Sequence, residues 1–121
     1  MNQFDRNVVR DWLDEIGASM PDREALQALI DILEFSGPQA LSYCTLDLGS
    51  GFYAIKSRHE GGMYLSPIYC KGPFSDTEIT FLAGATIEHK RLKPRYAPGI
   101  AEENLEALQQ APKRRRREPV T

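Results

Sequence analysis

The spacing of hydrophobic residues predicts two helices at the start of the chain. From about residue 5 to Ile16 the apolar side chains recur at helical spacing, which is typical of an amphipathic helix, and Gly17 ends it. A second apolar stripe follows over Leu26–Leu33, with Ser19 placed to cap the first turn and Gly37-Pro38 placed to stop the helix. Two such helices joined by a short connection need a sheet or another helix to cover their apolar sides.

Four short apolar runs, separated by turn residues, fill the middle of the chain and predict an antiparallel meander. In the second run Tyr53 and Ile55 alternate with smaller or charged residues, so one face is apolar while Lys56 and Arg58 point to the other. The runs are Leu41–Leu48, Phe52–Arg58, Met63–Cys70 and Thr77–Leu82. We therefore expect an α+β domain with two N-terminal helices packed on a four-stranded, mainly antiparallel sheet. Trp12 is expected where helices and sheet meet.

Pro67 interrupts the third run, because proline has no backbone N–H to donate to a ladder. Two interpretations stay open from the sequence. In one, the strand is bulged at Pro67, which re-aims neighbouring side chains. In the other, the strand begins only at Ile68.

The end of the ordered chain is predicted to be a loop followed by a helix. Residues 83–98 contain two prolines and a group of cations, and this composition is typical of a loop. From Gly99 to about Gln110 the apolar residues mark a short third helix, which we expect to pack on the edge of the sheet.

Charge is unevenly distributed along the 121 residues, although the net charge is −2. Residues 1–37 carry eight acids against three arginines, a net charge of −5, whereas residues 52–95 carry seven bases against four acids, a net charge of +3. Such a partition suggests two different partners, although a solvated helix surface accounts for most of the charges in the acidic half. Residues 1–111 are predicted to form a single domain and residues 112–121 a disordered basic tail, whose cations at 113–117 suit nucleic acid or a solubilising end.

Several functional classes do not fit the composition. Cys44 and Cys70 lie in strand-like runs, and His59 and His89 are far apart, so we expect buried free thiols and no metal site. No small-molecule cofactor is implied. No apolar run approaches the roughly 20 residues that span a bilayer, and the first residues lack the regions of a signal peptide. We therefore expect a cytoplasmic protein.

Cationic residues of the predicted sheet and loop are candidates for RNA binding. Lys and Arg donate to phosphate oxygens, and an aromatic ring stacks on an unpaired base. A histidine, tyrosine or lysine can assist attack of a ribose 2′-hydroxyl on the neighbouring phosphate. The residues are Lys56, Arg58, His89, Lys90, Arg91, Lys93, Arg95 and Tyr96. The same set would also hold an acidic protein partner, and spacing does not separate the two interpretations.

A series of short motifs spans residues 8–109. It comprises Trp12–Ile16, the Gly37-Pro38 break, Leu48–Lys56, Gly62-Met63-Tyr64, Phe81–Gly84 and a basic, proline-containing stretch before a last helix. In this order the chain resembles the RelE/ParE superfamily, and within it HigB-type and phage-derived HigB-like toxins. The resemblance implies the toxin of a type II toxin–antitoxin pair, a small α+β endoribonuclease that enters the ribosomal A site and cuts mRNA without a metal. Its partner would be an antitoxin encoded nearby, often with a helix-turn-helix domain.

Site residues follow from the resemblance together with the residue types. Catalysis is assigned to Lys56, His89, Lys90 and Tyr96, and RNA binding to Arg58, Lys71, Arg91, Lys93 and Arg95. Where the family usually has an arginine after the tyrosine of the third strand, this chain has Leu65, and Lys71 or Arg58 would have to replace that cation. A second hypothesis therefore stays open, namely a non-catalytic interaction protein of the same fold, such as a phage factor or a ParE-like gyrase inhibitor.

Overall fold

Three α-helices, one 3₁₀ segment and eight strands make up residues 3–59, 62–72 and 78–110, the part of the chain that a computed structural model describes, with side chains from residue 8 onward. The helices are α1 (Gln3–Ile16), α2 (Met20–Ser36) and α3 (Ala97–Gln110), and the 3₁₀ segment is Pro38–Cys44. The strands are β1 (Thr45–Gly49), β2 (Phe52–Ile55), β3 (Ser57–Arg58), β4 (Tyr64–Leu65), β5 (Ile68–Lys71), β6 (Ile79–Ala83), β7 (Thr86–Glu88) and β8 (Arg91–Lys93). The predicted α+β class is confirmed.

Local signals set both ends of α2. The extended Ser19 accepts a hydrogen bond from the Asp22 N–H at 3.3 Å, and Pro21 lies in the first turn. At the other end Gly37 has a φ of 83° and donates its N–H to the Leu33 carbonyl. A side chain would be strained at that φ, so glycine is the residue that stops the helix here. The predicted cap and stop are both confirmed.

The strands form two four-stranded antiparallel sheets, and the same long strands contribute one segment to each sheet. One sheet has the order β1-β2-β5-β6 and the other the order β3-β4-β7-β8. β2 and β3 pair with β5 and β4 in one register, since Ala54 lies opposite Ile68 and Ser57 lies opposite Leu65. Three long strands, β2/β3, β4/β5 and β6/β7, therefore run through both sheets. The edge strands are β1 and β6 in one sheet and β3 and β8 in the other.

Each long strand is interrupted at the same level. Lys56 separates β2 from β3, Ser66 and Pro67 separate β4 from β5, and Gly84 and Ala85 separate β6 from β7. Pairing continues across the interruption, because the Ser66 N–H donates to the Ala85 carbonyl at 2.8 Å. β4 precedes Pro67, and β5 begins at Ile68 as the second interpretation has it. The register shift lies between Ile68 and Tyr69 and not at the proline, so the bulge of the first interpretation does not fall at Pro67.

Two predicted elements differ from the structure. Residues 41–44 form the 3₁₀ segment, so the first strand begins only at Thr45. The prediction of a loop over residues 83–98 was wrong, because this stretch contains β7 and β8. The two strands are joined at His89 and Lys90, whose φ angles are 50° and 66°. Two successive positive φ angles make the tight turn whose twist suits a β-hairpin. Charged neighbours concealed the short alternating pattern of these strands.

Alternating strand side chains fill two cores, one on each face of the sheet. The helix-pair face packs against α1 and α2, and the α3 face packs against α3. In β2, Tyr53 and Ile55 enter the first core while Phe52 and Ala54 enter the second. Asn104 of α3 donates a hydrogen bond to the β6 backbone at 2.6 Å. The third helix therefore packs on one face of the sheet, chiefly over the edge strand β6, in agreement with the predicted position at the sheet edge.

Trp12 joins α1 to the interruption in the third long strand. Its indole ring lies directly on Gly84, so a Cβ at that position would collide with the atoms of the five-membered ring. The ring is half-buried and packs against the helix-pair core. The predicted location of Trp12 is confirmed, and glycine is required at 84 because the ring occupies the space of a side chain.

Three further expectations concern the whole molecule. No helix within the described ranges is long and apolar enough to cross a membrane. Cys44 and Cys70 are buried and are not joined in a disulfide, as predicted. The basic tail predicted for residues 112–121 lies outside the described residues.

Replacement of Gly84 tests the contact with Trp12. We expect Gly84→Ala to lower the free energy of unfolding by about 1–3 kcal/mol, because the methyl group overpacks the site. Urea denaturation followed by Trp12 fluorescence measures the change. Gly99→Ala is the matched control, since nothing lies within 4 Å of a Cβ there, and it should be neutral or slightly stabilising. Equal effects of the two substitutions would contradict the assigned contact.

Alkaline pH tests the first core. Burial raises the pKa of Tyr69, which is fully buried, and also raises the pKa of Cys44. Because the unfolded chain loses these protons first, the free energy of unfolding should fall as pH rises above about 9–10. Tyr69→Phe should make this decline shallower in urea titrations up to about pH 11. Tyr96→Phe, at an exposed position, is the control. An unchanged slope in Tyr69→Phe would show that Tyr69 does not contribute.

Candidate functional site

On the face of the sheet that carries α3, the helix covers the half built by β2, β5 and β6. A different set of side chains occupies the other half of this face. Lys56 and Arg58 share this face with Ala54, because side chains alternate along a strand. Tyr64 lies directly opposite Arg58 in the register, so it is on the same face. We call Lys56, Arg58 and Tyr64 the cationic platform.

The cationic platform combines an aromatic ring with two cations. The Lys56 ammonium nitrogen lies 5.9 Å from the centroid of the Tyr64 ring, within the range of a cation–π contact. Arg58 is exposed, while Lys56 and Tyr64 are half-buried. A depression of about 270 Å³ lies at Arg58 and Tyr64, and His59, Gly62 and Met63 complete its lining.

His89 and Lys90 lie at the same end of the sheet as Arg58. They form the turn between β7 and β8, and both are exposed. Tyr64 pairs with Ile87 in an antiparallel ladder. Two residues further along this ladder, one strand enters the β7–β8 turn and the other enters the β3–β4 connection. The structure thus brings two predicted catalytic residues to the end of the sheet where the platform lies.

Arg91 and Lys93 lie on the opposite face. Lys93 pairs with Thr86, which in turn pairs with Leu65 of the helix-pair core. Arg91 pairs with Glu88, and the Lys93 ammonium lies 2.5 Å from a Glu88 carboxylate oxygen. Both cations are exposed on the edge strand β8. They are therefore near the platform's end of the sheet but not on its face.

The other predicted residues are placed separately. Lys71 is seven positions along the strand from Tyr64, about 20 Å away, on the helix-pair face with its ammonium 5.7 Å from the Tyr53 ring centroid. The structure does not bring Lys71 to the platform. Arg95 and Tyr96 are exposed between β8 and α3, where the chain crosses from the sheet edge to the α3 face.

A contact between His59 and Asp22 was not predicted from the sequence. His59 Nδ1 lies 2.5 Å from an Asp22 carboxylate oxygen, and the side chains are 28% and 17% exposed. His59 follows Arg58 and its N–H donates to the Met63 carbonyl at 2.9 Å, so this contact attaches the β3–β4 hairpin to the first turn of α2. The two residues are 37 positions apart, and neither belonged to a motif that would have identified the pair. Tyr64 was missed as a site residue for a different reason, because it was assigned to the strand alone.

Chemically, the cationic platform can bind a phosphate and stack a ring. Arg58 supplies a planar group of donors that matches phosphate oxygens, Lys56 supplies a point charge, and Tyr64 supplies a π-surface. Leu65 is 1% exposed and belongs to the helix-pair core, so it contributes no phosphate contact in place of the arginine expected from the resemblance. Leu65 pairs with Ser57, so Lys56 and Arg58, one residue to either side of Ser57, are the cations nearest to that position in register.

Neither a metal centre nor a similar protein adds to this description. Within the described ranges, no three His, Cys, Asp or Glu side chains gather as they would around a metal ion. Comparison of the chain with protein-family models, with curated proteins and with solved structures finds no match. The platform and the motifs in the sequence are therefore the features that bear on activity.

A double-mutant cycle tests the contact between His59 and Asp22. We expect His59→Ala and Asp22→Ala each to destabilise the protein, with a coupling free energy of about 1 kcal/mol at neutral pH, because the bonded groups are mostly shielded from water. Urea denaturation of the four proteins gives this value. The pair His89→Ala and Asp22→Ala is the control and should be additive, since His89 lies on an exposed turn. Additivity of His59→Ala with Asp22→Ala would show that the contact contributes nothing.

Proposed function

We propose that the protein is the toxin of a type II toxin–antitoxin system, an endoribonuclease that inhibits translation by cutting mRNA on the ribosome. The observation that carries this proposal is the cationic platform, with Lys56, Arg58 and Tyr64 on the half of the sheet face that α3 leaves uncovered. The motifs that resemble the RelE/ParE superfamily lead to the same activity.

The platform supplies the binding half of such a reaction. Arg58 and Lys56 would hold the backbone phosphate, and Tyr64 would stack on an adjacent base. A proton acceptor takes the 2′-hydroxyl proton, O2′ attacks phosphorus, the bond from phosphorus to O5′ breaks, and a donor protonates O5′. The products are a 2′,3′-cyclic phosphate and a free 5′-hydroxyl. His89, Lys90 and Tyr96 remain the candidates for the proton transfers, together with Lys56.

The partners of the proposed toxin are the ribosome with its mRNA and a cognate antitoxin, proposed as a helix-turn-helix protein. The reaction then takes place in the cytoplasm and needs no metal or small-molecule cofactor, because positioning and cations suffice for transesterification. The acids of residues 1–37 would repel RNA from the helix pair and so favour its approach to the other face, which carries the cationic platform.

Lys56→Ala tests the platform against a closely matched control. We expect this substitution to slow mRNA cleavage by about 100-fold, because it removes a preorganised cation from the reacting phosphate. Primer extension in a translating extract measures the cuts, and growth after expression gives an independent readout. Lys71→Ala is the control, since Lys71 also lies over a tyrosine ring but on the other face. This variant should cut mRNA as fast as the wild type does.

Further variants separate binding from proton transfer. Tyr64→Leu should weaken RNA binding, whereas His89→Ala should reduce the cleavage rate with binding retained if His89 transfers a proton. Cleavage by the wild type without ribosomes would contradict the ribosome-dependent part of the proposal. Equal toxicity of Lys56→Ala, His89→Ala and the wild type would remove the proposed site.

Leu65 favours a second candidate function, a non-catalytic interaction protein such as a ParE-like gyrase inhibitor. The residue is buried, so one phosphate contact expected from the resemblance is missing. Inhibition of DNA supercoiling by the purified protein, with ribosome-bound mRNA left intact, would support this alternative over the nuclease.

A further inference from the structure

We propose that the outer side of α2 is a docking surface for an amphipathic helix of another protein, one whose apolar stripe is flanked by lysine or arginine. The surface is the α2 stripe, which consists of Ala25, Ala28, Ile32 and Phe35. All four residues are exposed, and Ile32 and Phe35 are 37% and 89% exposed. This inference does not depend on nuclease activity.

The α2 stripe is distinct from the side of the helix that enters the core. Leu26, Ile30 and Leu33 are buried and pack against the sheet, and at 100° per residue the stripe lies about 140° around the helix axis from them. A helix with one buried side is expected to be polar on its outer side. α2 instead carries apolar residues on two sides, and the second has no covering element among the described residues.

The spacing along the α2 stripe fits a helix better than a strand or a loop. Its members are three, four and three residues apart, the spacing by which one helix packs along another. From Ala25 to Phe35 the stripe is about 15 Å long, nearly three turns. The two alanines at one end permit close approach of a partner backbone, while Ile32 and Phe35 provide larger side chains at the other end.

Charge next to the stripe specifies the partner further. Glu24 and Asp31 are exposed on α2 and flank one side of the stripe. Gln27 donates to an Asp31 carboxylate oxygen at 2.8 Å, which holds that carboxylate on the surface. A partner with lysine or arginine beside its apolar residues would complement these acids, as the flanking charges do in coiled coils. A second copy of this chain would bring the same acids into a two-fold contact, which like charges oppose.

A synthetic peptide tests the α2 stripe directly. The probe is a labelled three-heptad peptide with leucine at the a and d positions and lysine at the flanking e and g positions, used at concentrations where it is monomeric. Fluorescence anisotropy against the full chain should give a dissociation constant in the micromolar range. The variant Ile32→Ser/Phe35→Ser should bind at least about tenfold more weakly, because truncating central apolar anchors costs more than 1 kcal/mol.

Two controls make the outcome specific. Ile16→Ser/Met20→Ser removes two other exposed apolar residues, 42% and 65% exposed, and should bind as the wild type does. A peptide with glutamate in place of lysine should bind at least about tenfold more weakly at low salt, and the difference should shrink as salt is raised. Circular dichroism checks that both variants keep their helical content.

Three results would overturn the proposal. The first is equal binding by the wild type and Ile32→Ser/Phe35→Ser, which would place the peptide elsewhere. The second is equal binding of the lysine and glutamate peptides. The third is a dimer of the full chain in sedimentation that Ile32→Ser/Phe35→Ser disperses, since a second copy would then cover the stripe.

Discussion

The arrangement of this molecule depends on the packing of the Trp12 ring on Gly84. Gly84 lies at the level where all three long strands are interrupted, and the ring attaches α1 to the sheet at that level. Since the ring takes the space of a side chain, the strand approaches the helix closely on one face. The other face is divided at the same level, with α3 on one half and the cationic platform on the other. The same level of the sheet thus carries the Trp12 contact on one face and the boundary between α3 and the platform on the other.

Much of the fold was predictable because its signals are local. The cap at Ser19, the stop at Gly37 and the alternation around Tyr53 depend on residues within one or two turns of chain. β7 and β8 were missed because they have three residues each and two of the three in each strand are polar, so composition indicated a loop. The packing of α3 at the sheet edge was predicted, but the face that it covers was not, because that depends on the shape of the whole sheet.

The candidate site was predictable only in part, for a related reason. The period of a strand already placed Lys56 and Arg58 on one face. Tyr64 joins them through the pairing of two strands. Lys71 is excluded by its distance along the strand from Tyr64 and by its contact with the Tyr53 ring on the helix-pair face. The His59 contact with Asp22 connects a hairpin to a helix at a separation of 37 residues, and no pattern in the sequence encodes it. Residues within one element could be grouped from sequence, whereas groupings across elements required the register.

The unbroken register between the long strands β2/β3 and β4/β5 has a consequence for how chains of this kind can vary in length. Ala54 packs under α3, and Arg58 lies four residues later on the same face. Inserting or deleting one residue between them would turn Arg58 towards the helix pair and place Ser57 or His59 on the platform, because side chains alternate. Spacing in this stretch is therefore constrained as strongly as residue type. Homologous chains that keep the platform should differ in length at their surface connections and not between positions 54 and 58.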